Sequence, residues 1–436
     1  MIRFVCTLLV VLGLFSYVEA QQLPAPQGCG YDHYVHFMDQ AYPGFKASAD
    51  AVFQRNKDGV STRDLEVLTI PVVVHIVWQN EEQNLADSLV EQVLAVLNED
   101  YRRLNADANL IRSEFSDIVE DPFIEFELVA IERVQTEATF ELDLLGNSLP
   151  DNVKIGAEGG SDAWDTEQYL NIWVCNIEGG ALLGYAYPPA DLDHWPAGAN
   201  APSPELDGVV IHYPVFKRTG TFTANGLLGG GETTIPVRGR AVTHEVAHYL
   251  GLRHIWGDGL LSILGIPDCE ADDGVADTPQ QGVSSQFQCD ESQNTCEEGM
   301  PGDLPDMFEN FMDYASDECM NSFTVQQIGI MRSVLENERS GLLSPTVANE
   351  EVAMNRSVFQ VYPNPASDQL FVKVGALLSG KAQLQLIDAQ GRILEVLLLS
   401  GSLEQVMLEV SNRPAGLYAL LLTNGDQQYL ERIVIR

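Results

Sequence analysis

Three histidines and one glutamate within eleven residues have the makings of a metal site that also moves a proton. The run is HEVAHYLGLRH, His244 to His254, with the spacing H-E-x-x-H-x-x-G-x-x-H. On an α-helix, residues four apart differ by about 40° in azimuth, so His244 and His248 project from one face a turn apart. Two neutral imidazoles there can share one Zn²⁺. Gly251, free to take positive φ, ends the helix and lets the chain bring back His254 as a third ligand. Three protein ligands leave a fourth position for water, the layout of a catalytic rather than a closed structural site. Zinc lowers the pKa of that water towards about 7 and polarises a carbonyl oxygen. Glu245, beside the first ligand, is placed to take the water's proton and pass it to a leaving amine. The reaction implied is hydrolysis of a peptide bond. Five specified positions in register recur by chance in about one chain of this length in ten thousand, which sets aside a helix of ordinary core histidines.

Other elements must carry this helix. LEVLTIPVVVHIVWQ is a continuous β-branched run, as in a strand buried on both faces. DSLVEQVLAVLNEDYRRLN follows with apolar residues at helical spacing, Leu89, Val93, Leu94 and Leu97 among them. Further strands are expected in FIEFELVAIE, YLNIWVC, LLGYAYP and DGVVIHY, giving an α/β domain with one mixed sheet plus helices. From Leu260 to about Asn321 the pattern dissolves into Gly, Asp, Pro and Cys, a stretch that needs staples. Cys269, Cys289, Cys296 and Cys319 can supply two disulfides, with three pairings open. TVQQIGIMRSVLENERSGLL closes the domain as a helix. After a polar linker, the tail turns to short alternating runs such as LFVKV, AQLQLID and LYALLLT, the pattern of a small all-β sandwich.

The chain has 436 residues and a formal net charge of -39, a field that repels nucleic acid and anionic membrane surfaces. Its first 20 residues read as a cleaved secretory signal, with Arg3, an apolar stretch from Phe4 to Val18, and Ala20 before the cut. No later run reaches the roughly 18 apolar residues of a spanning helix, so no integral membrane segment is expected. Residues 21–65 hold a helical pattern around Tyr34 to Phe53, then RNKDGVSTRD, whose Arg55, Lys57 and Arg63 suit a cleavable linker. The expected division is signal peptide 1–20, pro-segment 21–65, catalytic domain 66–342, linker 343–356 and β-sandwich 357–436.

The long histidine signature resembles that of the metzincin zinc proteases, whose second hallmark is a Met-containing turn beneath the metal. NFMDYASDECMNSFT supplies Met312 for that turn. Together with LNIWVCNI, GGALLGYAYPP, LDGVVIHY, HEVAHYLGLRHIWGD and DGVADTP, it resembles the pappalysin family, especially its small bacterial members, over most of residues 66–340. The resemblance implies that Tyr314 stabilises the oxyanion and that LLGYAYP holds an extended peptide by β-augmentation. It implies calcium at the acidic loop DCEADDGVADTPQQ, with Asp273 and Thr278 as ligands, and the pairs Cys269–Cys296 and Cys289–Cys319. Two cysteines are left. Cys29 and Cys175 could pair, but PQGCGYD resembles the cysteine motif of related pro-segments, where a thiolate occupies zinc's fourth position until the segment is cut off. Asp317 and Glu318, near the end of the Met-turn loop, leave a preference for basic residues open.

VYPNPASDQLFVKV, LQLIDAQGRIL and PAGLYALLLTNGDQQYLERIVIR resemble the C-terminal sorting domain of the type IX secretion system, with adhesion as the plainer reading of a small sandwich. The expected protein is a secreted or cell-surface zinc endopeptidase, exported through periplasm and outer membrane and made as a zymogen, with protein or peptide substrates. The competing expectation is an inactive metal-binding or adhesive protein that keeps the protease fold.

Overall fold

The computed structural model describes residues 29–58, 66–142, 149–178, 182–195, 197–225, 232–257, 266–296 and 299–343 and, with short gaps, 359–436. The expected signal peptide lies outside these, as does the linker apart from its first residue. Two compact units divide at Ser344 and Pro345. Among the described residues no helix is long and apolar enough to cross a membrane.

The first unit opens with helices α1 (Tyr31–Ala41) and α2 (Phe45–Asn56). One helical stretch was expected here, and the structure has two. Pro43 lacks an N–H, and Gly44 turns the chain at φ 104°. The Asp39 carboxylate then accepts from the backbone N–H groups of Gly44 and Lys46, starting α2. Strand β1 (Leu68–Trp78) and helix α3 (Asp87–Tyr101) follow, then β2 (Ile124–Gln135), β3 (Phe140–Glu141), β4 (Leu170–Cys175), β5 (Ile177–Glu178), β6 (Gly184–Ala186) and β7 (Val209–His212). A hairpin of β8 (Gly220–Asn225) and β9 (Glu232–Val237) leads into α4 (Arg240–Tyr249), and α5 (Val325–Glu336) closes the unit.

The main sheet has the order β2-β1-β4-β7-β6, parallel except for β6, which pairs antiparallel with β7 at one edge. Side chains alternate between its two faces, and each face has its own core. Leu170, Ile172 and Val174 of β4 join α3, α4 and α5 in one core. Trp173 and Cys175 point the other way, into a second core that takes in Cys29, Tyr31, Tyr34, Val35, Phe37, Met38 and Phe45. The amino-terminal helices therefore complete the packing of the sheet on that side.

Between α4 and α5 the chain runs largely in turns, tied by disulfides Cys269–Cys296 and Cys289–Cys319. Buried Glu309 helps hold this region, accepting from the Nε (2.7 Å) and an NH2 group (2.8 Å) of Arg112.

The second unit is all-β. One sheet is β10 (Phe359–Tyr362), β11 (Gln369–Val374) and β14 (Gln405–Glu409), in that order. The other orders β13 (Ile393–Ser400), β12 (Lys381–Asp388), β15 (Gly416–Asn424) and β16 (Gln427–Ile435). Among the described residues the strands within each sheet pair antiparallel, an isolated parallel bridge joins Ala366 to Ile435, and Leu370, Val372, Leu384, Leu420, Leu422 and Ile433 lie in the core.

Candidate active site

Helix α4 carries His244, Glu245 and His248, all buried, and ends at Tyr249 with Leu250 as its C-cap. Gly251 follows at φ 92°. Its N–H bonds the carbonyl of His248, while that of Leu252 bonds the carbonyl of Ala247. This left-handed closure turns the chain, and His254 returns beside the helix, fully buried. The Nε2 atoms of His244 and His254 stand 3.0 and 3.1 Å from that of His248.

Two backbone carbonyls orient this cluster. Nδ1 of His244 lies 2.6 Å from the oxygen of Phe311, and Nδ1 of His248 lies 2.8 Å from that of Leu252. Each Nδ1 must therefore carry a proton to donate, which leaves the Nε2 lone pairs of both rings facing inward. Burial pushes the His244 imidazole down to about 3 and His248 well below its ordinary value, with the neighbouring His254 adding to both, so protons do not fill that space. Lone pairs converging in a dry site call for a cation. Nitrogen ligands about 2.0 Å from one tetrahedral zinc sit about 3.3 Å apart, close to the separations found, so the three residues fit zinc.

Cys29 completes the cluster. Its sulfur and one nitrogen from each of the three rings all lie within 4.8 Å of one another. Cys29 Sγ donates to Glu245 Oε2 at 3.2 Å and accepts from the N–H of Tyr31. Burial pushes the Glu245 carboxyl up to about 8, and the bond from Cys29 holds it lower than burial alone would. The Tyr31 ring stacks on His248, centroids 4.0 Å apart. Cys29 pairs in parallel with Gly184 of the edge strand β6, and the N–H of Gly30 donates to the carbonyl of Gly184 at 2.9 Å. Cys175 is not its disulfide partner. Neither cysteine is in a disulfide, both side chains are buried, and burial pushes the Cys175 thiol up.

Met312 is fully buried, with its N–H bonded to the Asn310 side chain and its carbonyl accepting from Ile255. The Tyr314 ring lies edge-on to His254 at 4.9 Å, and its hydroxyl donates to the Cys29 carbonyl at 3.2 Å. Asp317 accepts from the N–H of Arg238 at 2.6 Å and sits beside Arg240. In the acidic loop, the Thr278 hydroxyl reaches both oxygens of buried Asp273 at 3.0 and 3.1 Å.

Several contributors carried no signal in the chain. The Phe311 and Leu252 carbonyls could not be read there, because every residue has one. Trp256, stacked on His254 at 4.5 Å, could have been suspected from its place two residues after the third histidine. Asp313 accepts from the N–H of Ser285 at 2.9 Å and from that of Tyr314, fixing the turn that holds Tyr314.

Comparison with known proteins identifies relatives of both units. Residues 218–336 match the family model described as pregnancy-associated plasma protein-A, and 360–436 match that of the secretion system C-terminal sorting domain. Mirolysin, solved in complex with a compound, is 38% identical, with 64% of this chain and 97% of that one covered, at a TM-score of 0.52. Promirolysin of Tannerella forsythia is 34% identical, covering 73% and 97%, at a TM-score of 0.57. An extracellular metalloprotease of Arthroderma otae is 33% identical over 177 residues, 40% of this chain and 54% of that protein. One from Arthroderma benhamiae is 28% identical over 261 residues, with 60% and 74% covered. The sorting domain marks the chain for export to the cell surface or beyond. The chain belongs to the pappalysin family of metzincin zinc metalloproteases and carries a type IX secretion sorting domain at its carboxyl end.

Proposed function

We propose that this protein is a zinc-dependent endopeptidase made as a zymogen, with Glu245 as the general base and Cys29 as the silencing group. The observation that carries the reading is the convergence of three buried imidazoles beside the buried Glu245 carboxyl group. His244, His248 and His254 would hold a zinc ion, which would supply Lewis acidity for activating water and polarising the scissile carbonyl. Glu245 takes the proton of the attacking water and delivers it to the leaving amine as the C–N bond breaks. Tyr314, released from the Cys29 carbonyl, donates to the oxyanion as it develops. The Gly184 carbonyl, released from Gly30, accepts an N–H of the extended substrate. Met312 packs the floor beneath the ligands.

In this reading residues 1–20 are the signal, 21–65 the pro-segment, 66–342 the enzyme, 343–356 a linker and 357–436 the domain read by the type IX machinery. Calcium at Asp273 and Thr278 belongs to the same proposal. Burial pushes the Asp273 carboxyl well up, and Asp277 Oδ1 is buried without a hydrogen-bond partner, so a cation would relieve both.

An inert metal-binding protein is the weaker reading, because a site kept only for structure has no use for a buried carboxylate beside its open position. Casein hydrolysis by the full chain after removal of the pro-segment tests the point, with Glu245→Ala as control. Hydrolysis that Glu245→Ala reduces at least a thousandfold supports the reading. No hydrolysis with zinc bound and the pro-segment gone overturns it.

A further inference from the structure

The amino-terminal helices do more than bring Cys29 to the histidines. Tyr34, five residues on, is 1% exposed, with its ring 4.2 Å from Tyr187 and 6.3 Å from Tyr185 between centroids. Phe45 packs behind it, 5.7 Å from Tyr34 and 6.4 Å from Trp195. Tyr185 lies in β6, and Tyr187 directly follows it. Two aromatic side chains of the expected pro-segment thus fill an aromatic trough that the enzyme supplies along its edge strand.

The trough's rings are held by residues outside the expected pro-segment. Tyr185 and Tyr187 donate their hydroxyls to the two oxygens of Asp151, at 3.0 and 2.5 Å. Lys154, its side chain fully buried, pairs with Asp151 at 3.1 Å, and its ammonium sits 3.5 Å from the centre of the Tyr187 ring. All four residues belong to the catalytic domain. The two rings are clamped from behind, so departure of Tyr34 opens a preformed apolar slot rather than a collapsed one. A cavity of about 540 Å³, lined by Phe45, Tyr187, Pro188 and Pro189, adjoins it.

The slot is level with the path of a bound peptide. A Cβ on Gly184 would stand 2.9 Å from Glu245 Cγ, so this point of β6 is abreast of the catalytic residues. At about 3.3 Å per residue, Tyr187 lies roughly 10 Å farther along the strand. The pro-segment runs parallel to β6 and is held there. A peptide running antiparallel to β6 would place near Tyr187 a residue two or three positions before its scissile bond.

We propose that Tyr185 and Tyr187 form a substrate subsite for an aromatic side chain on the amino-terminal side of the cleaved bond, filled before maturation by Tyr34. The inference rests on the endopeptidase reading, and its test separates the two. The full chain, freed of its pro-segment, is given fluorogenic peptides with Phe, Tyr, Leu, Ala or Asp at each of four positions on either side of one cleavage site. The expected result is kcat/KM about tenfold higher for Phe or Tyr than for Ala at the second or third position before the bond, with Asp lower still. Tyr187→Ala should bring that ratio close to one, with circular dichroism and zinc content like those of the native chain showing that the variant is folded. Equal rates for Phe and Ala at all amino-side positions, or an aromatic preference confined to the carboxyl side, overturn the subsite. Cleavage of no peptide at all overturns the endopeptidase reading instead.

Discussion

Cys29 Sγ and Glu245 Oε2 stand 3.2 Å apart, although 216 positions separate them in the chain. One thiol thus touches the residue proposed to handle the proton and lies among the three imidazoles proposed to hold the metal. Cys29→Ala removes both contacts while leaving Tyr31 and Tyr34 packed. The variant should convert to active enzyme several times faster than the native chain, followed by casein hydrolysis against time. An unchanged conversion rate would show that the sulfur plays no part in silencing.

Gly251 sets the return of His254. Its φ of 92° strains any other residue, and a Cβ there would meet Val334 Cγ2 at 3.0 Å. Gly251→Ala should lower stability by about 1–2 kcal/mol and reduce zinc per chain, measured by denaturant unfolding and metal analysis. Full zinc content in an equally stable variant would contradict this account of the turn.

The site was legible in the chain because metal chemistry demands residue types at fixed spacing. His244, Glu245, His248 and Gly251 are local to one helix and its end, so helical geometry alone relates them. His254 needed only the turn at Gly251. The β-branched runs of β1, β4 and β7 were equally plain, since a strand buried on both faces tolerates little else. What the chain concealed was long-range. Nothing in α1 says which face of the sheet it covers, because Tyr31, Tyr34, Phe37 and Met38 would suit any apolar surface. The break between α1 and α2 was written in Pro43 and Gly44, and a helical pattern on both sides masked it.

His212 offers a test by pH. Its Nδ1 accepts from the N–H of Ile177 at 3.0 Å, so that nitrogen has to stay unprotonated. Burial accordingly pushes the imidazole down to about 4. A group depressed on folding contributes stability that is present above its unfolded value, near 6.5, and is lost as pH falls through its folded value. The loss across that window is about 3 kcal/mol at most. His212→Asn keeps an acceptor for Ile177 and cannot titrate there. Unfolding free energy should therefore fall less steeply between pH 6.5 and 4 in the variant than in the native chain. Parallel slopes would remove His212 as a source of acid sensitivity.

Calcium binding at the acidic loop would show as stabilisation. At a hundredfold excess over its dissociation constant, a ligand that binds only the folded state adds about 2.7 kcal/mol. Added calcium should raise the Tm of the native chain by several degrees and leave that of Asp273→Asn unmoved, in calorimetry after chelation. A native Tm indifferent to calcium would remove the ion from Asp273 and Thr278.

The second core of the sheet draws seven of its buried residues from the first two helices and the cysteine before them. While the chain is whole, that segment is confined close to its binding face, at an effective concentration in the millimolar range. On the proposed zymogen reading, a single cut in the linker that follows would end the confinement. Outside the cell the freed piece is diluted without limit, so dissociation proceeds even if every contact keeps its strength. Activation of the proposed zymogen would then need no chemical change at the thiol and could not be reversed by the severed piece, because the volume around the cell would make the step one-way.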